Sequence, residues 1–129
     1  TIVLLYLSNY VHEFIHAIFY PRNASKTICE IKTQGAHLLY CDAKVSKGRF
    51  ILITLAPVLV LGVIPFILWY ILAPIIPMPY NFAVVVFYFV SFVSALGDYA
   101  NVFNTLRSVP NKALVFNFGI HSYWMRRDE

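Results

Sequence analysis

Residues 1–20 read TIVLLYLSNYVHEFIHAIFY, an apolar run broken by His12, Glu13 and His16. The reading of that stretch decides the rest. A helix of 20 mostly apolar residues is just long enough to cross the hydrocarbon of a bilayer. On such a helix His12 and His16 stand four apart, so both imidazoles fall on one face and can reach one Zn²⁺, with Glu13 beside them. His12-Glu13-Phe14-Ile15-His16 is an HExxH sequence, in which the glutamate is the general base that takes a proton from a zinc-activated water. Inside lipid an ionisable group costs several kcal/mol unless it is paired, and three together in one span point to function rather than packing.

Two further stretches, residues 50–72 and 80–106, are almost free of charge and long enough to span. The chain is 60% apolar and 12% charged, with a mean hydropathy of +0.69, which is not a soluble composition. The expected fold is therefore an all-α membrane protein of one domain, residues 1–129. It has three transmembrane helices (about 1–20, 50–72 and 80–106) and a small β-hairpin in the first cytoplasmic loop. Thr1 opens directly inside an apolar run, as expected of a chain from which an earlier segment has been trimmed. No basic n-region or small-residue cleavage site marks a signal peptide.

The net charge of +4 would suggest nucleic acid if it formed a patch. Instead Arg22, Lys26, Lys32, Lys44, Lys47 and Arg49 lie between the first two spans, and Arg107, Lys112, Arg126 and Arg127 follow the third. Three spans put both groups on one side, which the positive-inside rule makes cytoplasmic. Loop 21–49 and the tail 107–129 are thus expected in the cytoplasm, and the partner is the lipid bilayer rather than nucleic acid. Thiols on that side stay reduced, so no disulfide is expected between Cys29 and Cys41.

The polar loop carries Thr27 to Lys32 and Ala36 to Cys41 on either side of a turn at Gly35, the pattern of a hairpin. Pro57, Gly62 and Pro65 favour a kink in the second span. Pro74, Pro77 and Pro79 end it, and Ala113 to Phe118 reads as a short strand. Tyr123-Trp124 beside Arg126 and Arg127 has the composition of a membrane interface.

A catalytic zinc takes three protein ligands and leaves one position for water. Asp98 is the one other acid in a span. Counted back from Arg22 at ~1.5 Å per residue, His16 is roughly 9 Å deep and His12 roughly 15 Å; from Arg107, Asp98 is roughly 13 to 14 Å deep. His37, Cys41 and His121 compete as third ligand on chemistry, but they lie in loops at the wrong depth. Asn101, one turn beyond Asp98, is a candidate to orient substrate or stabilise an oxyanion, or to make a helix-packing hydrogen bond. The hairpin, with Ile31 and Leu38, could bind an unwound substrate as an added strand.

These residues resemble the membrane-embedded zincins of the site-2-protease type, and more closely the zincin peptidase family DUF3267. The resemblance is carried by His12 to His16, by Leu55-Ala56-Pro57 and by Gly97-Asp98. Leu96-Gly97-Asp98-Tyr99 departs from the Asn-Pro-Asp-Gly-like sequence that holds the aspartate ligand in site-2 proteases. The resemblance implies a zinc metalloendopeptidase acting on a membrane-protein or peptide substrate. The rival expectation is a metal-binding membrane protein without catalysis, such as a transporter, sensor or degenerate scaffold. An intact Glu13 favours the enzyme, because a pure binding site needs no base between its histidines.

Overall fold

The opening apolar run winds into helix α1 (Ile2–Phe19). In this computed structural model, residues 2–33, 36–118 and 121–127 are described; Thr1 and the expected Gly35 turn lie outside them. Pro21 discourages helical geometry at the residue before it, and α1 stops there. The Arg49 guanidinium then takes the last carbonyl, Nε and Nη2 donating to Phe19 O at 3.0 and 2.8 Å. Strands β1 (Thr27–Ile31) and β2 (Ala36–Tyr40) form the expected antiparallel hairpin, with Thr27 opposite Tyr40 and Ile31 opposite Ala36.

Strand β3 (Val45–Ser46) leads into α2 (Lys47–Pro57), whose start is capped by Ser46 Oγ accepting from the Arg49 N–H. From Pro57 the chain continues as π-helix over Val58–Val63, α3 (Ile64–Leu72) and a 3₁₀ turn, Ala73–Ile75. Where a kink was expected between Pro57 and Pro65, the chain carries a π segment within one continuous helix. Lys47–Ile75 is one helical rod of 29 residues. At ~1.5 Å per residue it is roughly 43 Å long, more than the ~30 Å of bilayer hydrocarbon.

Helices α4 (Met78–Ser94) and α5 (Leu96–Ser108) replace the third expected span. They are bent by 43° at Ala95. Ser94 Oγ donates back to Val90 O at 2.9 Å, a local bond that competes with the helical ladder and bends helices. Strands β4 (Leu114–Phe118) and β5 (His121–Met125) complete a second, antiparallel sheet of order β3-β4-β5.

The all-α, three-span expectation is therefore corrected. Two small sheets accompany the helices, and among the described residues one helix, the rod Lys47–Ile75, is long and apolar enough to cross a membrane. Helices α4 and α5 meet that standard only as a bent pair, and α1 is not counted with them. The physical reason for the second sheet is packing that the sequence does not display locally. Tyr20, Leu39, Cys41, Val45, Phe50, Ile53, Val109, Ala113 and Val115 form one buried cluster. Residues read as a cytoplasmic tail are part of that core.

Burial is confined to this end of the molecule. The π segment, α3 and α4 contain no buried residue among those described. Phe66, Ile71, Phe82 and Phe89 stand exposed along them. An exposed apolar surface of this extent marks contact with lipid or with another protein. At the far turn Asn81 satisfies the freed backbone, its Nδ2 donating to Ala73 O and Ile76 O while its Oδ1 accepts from Trp69 Nε1.

Candidate metal centre

Helical spacing places His12 and His16 on the same face of α1, their ring centroids 4.9 Å apart. Each of His12, Glu13 and His16 offers a ligand atom within 4.8 Å of the others. The bend at Ala95 brings the first turn of α5 against them, and Asp98 sits in that turn. Its Oδ2 lies 2.8 Å from His12 Nε2 and its Oδ1 lies 3.5 Å from His16 Nε2. The unpaired N–H groups of a helix start favour a negative charge, so the carboxylate gains from its position as well as from its neighbours.

The donor set fits zinc. Tetrahedral ligands at ~2.0–2.1 Å from the metal stand ~3.3 Å from one another, close to the separations between the carboxylate and the two imidazoles. His16 is buried, and its Nδ1–H donates to Ile53 O at 2.8 Å, which leaves Nε2 free to ligate. That is the usual outer arrangement of a zinc histidine.

Glu13 is held toward the hairpin, Oε2 accepting the Leu39 N–H at 2.8 Å. One turn earlier Asn9 Oδ1 accepts the N–H of His37. The edge of β2 that faces α1 is therefore engaged by two side chains of the helix carrying the motif. Asn9 was not singled out in the sequence, although its spacing to His12 and Glu13 put it on their face and would have identified it. Ile53 acts through its backbone and gave no side-chain signal.

A cavity of about 900 Å³ opens on this cluster. His12, Glu13, Asp98, Asn101 and Leu38 line its polar end, and the π segment, α3 and α4 form an apolar wall that includes Phe66 and Phe89. Asn101 and Leu38 thus reach the cavity, whereas Ile31 is not among its lining residues. The competing ligands lie elsewhere. His37 packs edge-on against Tyr6 and Tyr10, Cys41 is a free thiol within the buried cluster, and His121 is in β5.

Residues 5–114 match the family described as "Putative zincin peptidase", DUF3267. No curated protein and no solved structure matches the chain. The matched span takes in α1 with its HExxH, the hairpin, the whole rod, and Asp98 at the start of α5. With most of the chain covered, the protein belongs to the DUF3267 family.

Proposed function

We propose that this protein is a membrane-embedded zinc metalloendopeptidase that hydrolyses peptide bonds of membrane-associated proteins or peptides. The observation that carries the reading is the meeting of both HExxH imidazoles with the Asp98 carboxylate beside Glu13, at the end of a cavity whose other wall is apolar. His12 Nε2, His16 Nε2 and an Asp98 oxygen are the ligands. Bound Zn²⁺ would supply Lewis-acid activation of water and of the scissile carbonyl. Glu13 takes the proton of the attacking water and hands it to the leaving amine. Asn101 orients the substrate amide, and Leu38 contacts the substrate from the hairpin.

An extended substrate that pairs with β2 on its α1-facing edge needs the Leu39 N–H that Glu13 now accepts. Strand addition and release of the base are then one event. The rod Lys47–Ile75 anchors the enzyme in lipid. Lys47, Arg49, Arg107 and Lys112 gather at the end that carries the sheets, which favours a cytoplasmic position for that end.

The test is zinc content of the purified protein in lipid nanodiscs, with hydrolysis of a quenched-fluorescent peptide library by the same sample. About one zinc per chain and cleavage abolished by Glu13→Gln are expected. Absence of zinc under metal-replete conditions overturns the reading; zinc without hydrolysis that depends on Glu13 leaves a binding protein.

A further inference from the structure

We infer that Pro57 is a positioning residue for the metal centre: by having no N–H, it leaves the Ile53 carbonyl free to hold His16. In an α-helix the carbonyl of residue 53 accepts from the N–H of residue 57. Helix α2 ends on Pro57, which has none, and a proline ring also pushes away the carbonyl four residues before it. The next N–H along the chain, that of Val58, bonds to Leu55 O and so does not take its place. Ile53 O accepts from His16 Nδ1 at 2.8 Å instead.

The contact is sheltered from water. Ile53 is 2% exposed and His16 8%. A carbonyl only accepts, so the neutral imidazole must carry its hydrogen on Nδ1, leaving the Nε2 lone pair directed at the cluster with Asp98. The other tautomer cannot ligate through Nε2. A proline that reads as a helix breaker in the sequence therefore sets the tautomer and ring orientation of a ligand on another helix. An N–H at position 57 would draw the Ile53 oxygen back onto the helix axis and away from α1, even though a carbonyl can accept two bonds.

The consequence for zinc rests on the function proposed above, while the tautomer is a property of the metal-free protein, so the two can fail separately. The experiment compares wild type, Pro57→Ala, Pro65→Ala and a chain bearing the α-hydroxy analogue of alanine at position 57, whose ester linkage lacks the N–H. Imidazole ¹⁵N shifts of metal-free, histidine-labelled protein in nanodiscs report the His16 tautomer at a pH where the ring is neutral, with His16→Gln assigning its signals. Zinc affinity is measured by competition with a chelator.

Wild type is expected as the Nδ1–H tautomer. Pro57→Ala should mix the tautomers and weaken zinc about 10- to 100-fold, the range for loss of a contact that orients a ligand. The ester chain should restore both properties, and Pro65→Ala should change neither. A Pro57→Ala protein with the wild-type tautomer and affinity overturns the inference. So does an ester chain that behaves like Pro57→Ala, or a Pro65→Ala protein that loses as much. Wild type that binds no zinc overturns the proposed function, and the tautomer comparison still decides the role of Pro57.

Discussion

His12 and Asp98, separated by 86 positions in the chain, meet at 2.8 Å between Nε2 and Oδ2. The contact joins the middle of α1 to the first turn of α5 and defines where a cation would sit. Removing one of three ligands leaves a chelate that holds zinc poorly. Asp98→Ala and His16→Ala are each expected to weaken zinc binding by more than about 100-fold, beyond the loss typical of an outer contact. Elemental analysis after dialysis reads this directly, and wild-type stoichiometry in Asp98→Ala would remove Asp98 from the ligand set.

Glu13 accepts one backbone N–H and otherwise faces the cavity. A base that moves a proton in the rate-determining step contributes about 10²- to 10⁴-fold. Glu13→Gln keeps the shape and the Leu39 contact but cannot take a proton. Hydrolysis should fall by that factor with zinc content unchanged. A variant that turns over normally would assign the base elsewhere.

Zinc binding should also stabilise the fold, because the proposed ligands come from two helices, α1 and α5. At free zinc 100 times the dissociation constant the stabilisation is about 2.7 kcal/mol. Chelation should lower the unfolding temperature of wild type and leave that of His16→Ala unchanged. Equal shifts in both proteins would mean that the metal binds somewhere else.

Asn81 makes three hydrogen bonds that close the turn between α3 and α4. Asn81→Leu is nearly isosteric and leaves the Trp69 N–H and two carbonyls without that partner. The three contacts are half-buried, and a typical hydrogen bond contributes about 0.5–1.5 kcal/mol net, so a loss of about 1–2 kcal/mol is expected in denaturant unfolding. Zinc affinity should not change, since the turn is remote from the site.

Val115 is 1% exposed and lies in β4 opposite Val45. Truncation to alanine removes buried methyl groups in a cluster shared with α1, the hairpin and the rod. About 1.5–3 kcal/mol should be lost on unfolding. A change near zero would mean that residues 107–129 behave as an independent tail.

The parts of this protein that were legible in its sequence are those set by local spacing. Four residues on a helix bring His12 and His16 to one face, whatever surrounds them. Apolar length identified the rod, and alternation with a turn identified the hairpin between Thr27 and Tyr40. Asp98 stood out because a carboxylate in an apolar stretch needs a partner. The break at Ala95 was not legible, since neither proline nor a run of glycines marks it; the Ser94 bond to Val90 O and the packing of α5 against α2 decide it. The second sheet was hidden for a similar reason. β3 is two residues long, and Tyr123-Trp124, which reads as a membrane interface, pairs across strands with Phe116 and Val115.

By itself, then, the sequence determined which groups are available: an HExxH helix, a further acid in an apolar stretch, and long apolar runs. Tertiary structure alone decided which groups meet. The engagement of Glu13 by Leu39 and the hold of Ile53 on His16 depend on backbone groups of Leu39 and Ile53, whose side chains take no part in them. Side-chain identity cannot announce such contacts, because a carbonyl or an N–H becomes a partner only when folding leaves it unpaired beside another group.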